Sequence, residues 1–183
     1  MQDHTETVKK STSLLDVLAM ALISLAISFL TRFSIEILSI RLLFSLSDIL
    51  LYPAALLLAP FAGWCVCVLP PIAVEAIAGN FLWIPCLLVV KTLTFFAMHY
   101  VMSGVLGLQS TRSIVPFLAH GVCTVLGVFL FDVVVYGILT AAPGLLLSIV
   151  EWNIAGGLGM VVIRLILRHP GFMQRYVAGR GAA

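Results

Sequence analysis

Residues 114–139 read IVPFLAHGVCTVLGVFLFDVVVYGIL, an almost unbroken apolar run holding one carboxylate, Asp132, and one imidazole, His120. A helix needs about 20 such residues to cross a bilayer core, and this run supplies them. Working outward, comparable runs cover about Leu14–Leu30, Phe44–Ala59, Phe61–Ala78, Leu82–Leu108 and Leu145–Leu167. Residues AVILMFWYC make up 62% of the 183 positions and DEKR only 10%, with a mean hydropathy of +1.17. Soluble domains carry about 25% charged residues. The sequence therefore predicts an all-α membrane protein, a compact bundle of six transmembrane helices over residues 14–168. A polar N-terminal leader (1–13) and a basic tail (169–183) flank it. No room remains for a soluble catalytic domain. Neither a cleavable signal peptide nor an internal repeat of the inverted-transporter kind is evident.

Breaks separate the runs. Thr31–Arg41 mixes Arg32, Glu36 and Arg41 with isoleucine and leucine, and reads as an interfacial loop or half-inserted helix. Pro53 interrupts the second run and Pro70–Pro71 the third, a pair that no ordinary straight helix tolerates well. Gln109–Ser113 is a polar turn, and Ala142–Pro143–Gly144 separates the fifth and sixth runs. Six crossings put both termini on one side. Lys9, Lys10, Arg112, Arg164, Arg168, Arg175 and Arg180 then share that side, against Arg32 and Arg41 on the other. The positive-inside rule makes the terminal side cytoplasmic.

A charge at mid-bilayer costs at least about 2.5–3.5 kcal/mol on insertion scales, so each one requires a reason. Glu75 ends the third run, just before the loop containing Asn80 and Trp83. Lys91 lies in the fourth run, Asp132 and Tyr136 share a face of the fifth, and Glu151, Trp152 and Asn153 stand together in the sixth. In the assigned topology all lie in the outer half of the membrane, as the makings of a polar pocket open to the outside. Set against this, Lys91 could pair with Glu75 or Asp132 to hold the bundle in register. Trp83 and Tyr136 could be interfacial anchors. His99 reads as a packing histidine before a proton relay, and Asp48, after Ser47, as a helix cap. Cys65, Cys67, Cys86 and Cys123 fall in apolar runs as small hydrophobes, without a metal-binding spacing. Small residues form a second pattern. Ala21, Ser24 and Ser28 make a stripe on the first helix that suits close helix approach, to an external partner or within the bundle. Gly63, Gly156, Gly157 and Gly159 read as internal packing.

The segments Phe44–Ser45–Leu46–Ser47–Asp48–Ile49 and Ala59–Pro60–Phe61–Ala62–Gly63 resemble the second-to-third-helix region of the substrate-binding S components of energy-coupling factor (ECF) vitamin transporters. Ile84–Pro85 through Lys91 is similar to that family's fourth-helix opening, and Glu151–Trp152–Asn153 through Gly156 to its sixth. The pieces occur in the family's order across residues 14–168. Ala59 stands where the family often has glycine, and the proline usual before the position of Trp152 is absent. The family's first-helix Ala-x-x-x-Ala surface has only Ala21, Ser24 and Ser28 as its counterpart here.

The resemblance implies a non-enzymatic subunit that binds a vitamin or related small water-soluble molecule with high affinity for ATP-driven uptake. It implies no cofactor of its own, ATP being bound only by partner subunits. The implied partners are a transmembrane coupling subunit and two ATPases, with no nucleic acid, in the inner membrane of a prokaryote. By position, Glu75, Asn80, Trp83, Lys91, Asp132, Tyr136, Trp152 and Asn153 are the expected substrate contacts, and Ala21, Ser24 and Ser28 the expected docking surface. The competing classes are a membrane scaffold of rod-shape type and, third, a small integral membrane enzyme.

Overall fold

The computed structural model describes residues 14–37, 40–104 and 114–168. The expected leader, basic tail and Gln109–Ser113 turn lie outside them. Six helices follow one another in the described chain: α1 (Leu14–Thr31), α2 (Leu51–Leu57), α3 (Pro60–Ile77), α4 (Trp83–Gly104), α5 (Ile114–Tyr136) and α6 (Ile138–Arg168). Five of them are long and apolar enough to cross a membrane. Leu22, Phe29, Val89, Leu126, Leu130, Val134, Leu146 and Val161 are all exposed along their flanks. Such faces find no match in water and a good one in lipid, so this is a helical membrane bundle.

The second run departs from expectation. Phe44 belongs to an antiparallel hairpin, β1 (Phe33–Ile37) and β2 (Ile40–Phe44), in which Glu36 lies opposite Arg41 in register. The segment expected to be a loop or half-inserted helix is thus two strands. The chain then enters a 3₁₀ turn, Leu46–Leu50, that runs directly into α2. Together turn and helix extend only about 20 Å, short of a full hydrocarbon core. The short α2 compensates by lying at the centre. Leu51, Tyr52, Pro53, Ala54 and Ala55 are all buried, and Tyr52, Ala54 and Ala55 pack with Val66 and Val68 of α3, Phe95 and Met98 of α4 and Ile163 of α6.

The prolines do not break the chain where expected. Pro53 falls in the first turn of α2, the part of a helix that tolerates proline best. Pro60 opens α3 at its first turn. Pro70 and Pro71 lie inside a continuous α3, and Pro143 inside a continuous α6 that begins at Ile138. Surrounding helices hold these segments helical at the expense of the carbonyls four residues back. The stop between α5 and α6 is Gly137 instead, at φ +85°, a conformation natural to glycine.

Gly156 and Gly159 of α6 serve internal packing, as read from the sequence, and Gly157 does not. A Cβ at Gly159 would press into the Tyr52 ring and lie 3.0 Å from the Ile49 carbonyl, whereas one at Gly157 would meet open space. Gly159→Ala is accordingly expected to cost about 1–3 kcal/mol of unfolding free energy in detergent. Gly157→Ala should cost nothing, and thermal denaturation of the two variants side by side checks the contrast.

Candidate functional site

Two polar systems meet at the hairpin end of the bundle. The first closes that end. Arg32, just past α1, makes a two-pronged pair with Glu75 of α3 (Nε–Oε1 2.8 Å, Nη2–Oε2 3.2 Å). Asn80 in the α3–α4 loop donates its side-chain amide to the same carboxylate at 2.5 Å, and its backbone N–H bonds the Glu75 carbonyl. Such fork-on-carboxylate geometry is among the stronger polar contacts. Thr31 stitches the same end, donating to the Ile27 carbonyl and accepting the Leu46 N–H at 2.9 Å.

The second system lies deeper. Lys91 sits about 12 Å along α4 from Trp83. Its ammonium donates to Asp48 and, at 3.0 Å, to Ser47. The other Asp48 oxygen accepts from His120 Nε2 at 3.1 Å, and Tyr52 Oη lies 3.1 Å from His120 Nδ1. In a neutral ring Nε2 carries the hydrogen for Asp48, so Nδ1 takes the one from Tyr52. The result is an unbroken polar chain, Tyr52–His120–Asp48–Lys91–Ser47, inside an apolar bundle. Each buried group has a partner, which makes such a chain tolerable in hydrocarbon. Asp48 is therefore the hub of this chain and not a cap. Ser45 fills the cap, its hydroxyl accepting the Ser47 N–H at 3.3 Å.

Between the two systems lies a cavity with about 50 Å³ open to water centres, room for three or four waters. Its polar walls include Glu75, Lys91, Glu151, Ser28, Ser47 and Ser148, and its apolar walls Trp83, Pro71, Val90 and Val128. Every helix except α2 contributes. Glu151 accepts the Ser45 N–H at 3.3 Å and makes no ion pair among the described residues. Ser47 beside Lys91 also has the spacing of a serine–lysine hydrolytic pair. The Lys91 nitrogen is committed to Asp48 as an ammonium, which removes the free amine such chemistry requires.

Of the eight expected contacts, Glu75, Trp83 and Lys91 line the cavity, and Asn80 holds Glu75 from behind. The other four lie elsewhere. Asp132 is buried on α5, with neither oxygen hydrogen-bonded among the described residues. Tyr136 packs with Phe131 and Val128 against Trp83 and Val90. Trp152 donates to the Phe117 carbonyl at 2.9 Å and lies tilted against that ring, centroids 4.6 Å apart. Asn153 is exposed and bonds its own helix at Ile149. Helix phase explains the last two: Ser148, Glu151 and Ala155 share the inward stripe of α6, and the neighbours of Glu151 are turned away from it.

The stripe on α1 also faces inward. Ser24 is 0% and Ser28 1% exposed, Ala21 packs on the core, and Ser28 lines the cavity. The expected docking residues are thus internal, because the close approach they permit is to α3. His99, bonded to the Ala55 carbonyl at 3.0 Å, is a packing histidine. No known family, curated protein or solved structure matches the chain.

Proposed function

We propose that the chain is a membrane-embedded receptor for a small polar molecule, acting as the substrate-specificity subunit of an ATP-driven uptake system of the ECF type. One observation carries the reading: a polar-walled cavity at one end of a membrane bundle, lined by a carboxylate, Glu151, that makes no ion pair among the described residues. A scaffold would have no use for such a cavity, since every unpaired polar group in it costs stability. The ordered resemblance of the second, third, fourth and sixth helices to S components adds the partners, a coupling subunit and two ATPases. The terminal side of the bundle is then cytoplasmic, and the hairpin end receives ligand from outside.

At three or four waters, the space admits a ligand head and not a whole vitamin. Uptake of a larger molecule therefore requires Trp83, a cavity wall, to move outward as ligand enters. The reading is tested by growth of a vitamin-auxotrophic host lacking its own uptake systems. Co-expression of this chain with a coupling subunit and its ATPases should rescue growth on one low-level vitamin or precursor, and the chain alone should not. Absence of rescue across the water-soluble vitamins would overturn the assignment.

A further inference from the structure

The charges around the cavity do not balance. Arg32 and Glu75 neutralise one another, as do Lys91 and Asp48, and Glu151 is left over. Among the described residues its carboxylate has a single backbone N–H at 3.3 Å. An ionised carboxylate so placed has no ion-pair partner among the described residues, and in low dielectric it attracts a cation strongly. An anionic ligand would meet Glu151 in the same cavity, with Asp48 already seated on the Lys91 ammonium. Trp83 supplies an aromatic wall, which favours a cation again. Lys91 uses two of its three N–H groups, on Ser47 and Asp48, so one donor remains for a neutral acceptor.

We propose that the cavity takes the cationic head of a small organic ligand, a protonated amine or amidinium. That head sits on Glu151 beside Trp83, with an uncharged oxygen or nitrogen acceptor turned to Lys91. The room for three or four waters fits one such head. The proposal rests on the reading of the cavity as a ligand site and adds the charge class of what enters it.

The test uses the purified full chain in nanodiscs of zwitterionic lipid, titrated with matched amine, alcohol and carboxylate members on pyridine, pyrimidine and phenyl rings. Pyridoxamine, pyridoxine and 4-pyridoxate form one such triad. On whichever ring binds, the amine member should bind tightest. Glu151→Gln should weaken it at least tenfold while leaving the alcohol member unchanged. Gln keeps an acceptor for the Ser45 N–H, and Glu151→Asp, which keeps the charge, should retain most of the amine's affinity. Tightest binding by the alcohol or carboxylate member, or an amine affinity indifferent to Glu151→Gln, overturns the cationic class and leaves the ligand site standing. Failure of every member on every ring overturns both.

Discussion

Replacing Asp48 with Ala is expected to produce the largest stability loss of any single substitution in the bundle, about 3–5 kcal/mol, by stranding the buried Lys91 ammonium. The same change strips the acceptor from His120 Nε2, and a buried donor left unmet costs about 1–3 kcal/mol. The two penalties act on one network and will not simply add. The diagnostic variant is the double change Asp48→Leu with Lys91→Met, which removes both charges together. It should recover much of the loss, because burying no charge costs less than burying one alone. Lys91→Met by itself should be milder than Asp48→Ala, since Asp48 keeps His120. Unfolding free energies of the four proteins in detergent decide the matter. An Asp48→Ala variant within 1 kcal/mol of the parent would mean that Asp48 is not the hub.

Ser28→Leu carries the second large effect, this time on ligand binding. Ser28 is a cavity wall, and its hydroxyl donates to the Ser24 carbonyl at 2.7 Å within a tight α1–α3 contact. Leucine there would fill the space meant for ligand and wedge the helices apart, at about 1–3 kcal/mol of overpacking strain. Binding should be lost while the bundle still forms. An external docking surface would behave in the opposite way, keeping ligand affinity and losing only the partner. Asn153→Ala is the matched control, because its amide bonds only its own helix and its affinity should stay unchanged. A direct ligand titration of both variants, with melting temperature as the check on folding, separates the outcomes.

Much of this architecture was legible from residue patterns. Apolar length marked the spans, and the cost of charge in lipid pointed to Glu75 and Lys91. The loop before α4 pointed to Asn80 and Trp83. The hairpin was hidden because Phe33–Phe44 mixes charge with β-branched residues in a way that also suits an interfacial helix. The hub at Asp48 was hidden by distance along the chain: its partners, Lys91 and His120, stand 43 and 72 positions away. A serine–aspartate pair just before a helix has the local form of a cap, and only tertiary packing turns it inward. In α6 the usable signal was present and misread. Ser148, Glu151 and Ala155 trace the inward face at helical spacing, so Glu151 and not Trp152 or Asn153 reaches the cavity. The α1 stripe was ambiguous on physical grounds, since small residues permit close approach to any helix, inside or out.

The cavity between Lys91, Glu151 and Trp83 is expected to hold a specific small molecule. Native mass spectrometry of the chain, released from nanodiscs after equilibration with a mixture of water-soluble vitamins and their precursors, tests it most directly. One retained species is expected at one molecule per chain, present on the parent and on Asn153→Ala and absent from Ser28→Leu. A folded parent that retains nothing, or a species retained equally by Ser28→Leu, would contradict it.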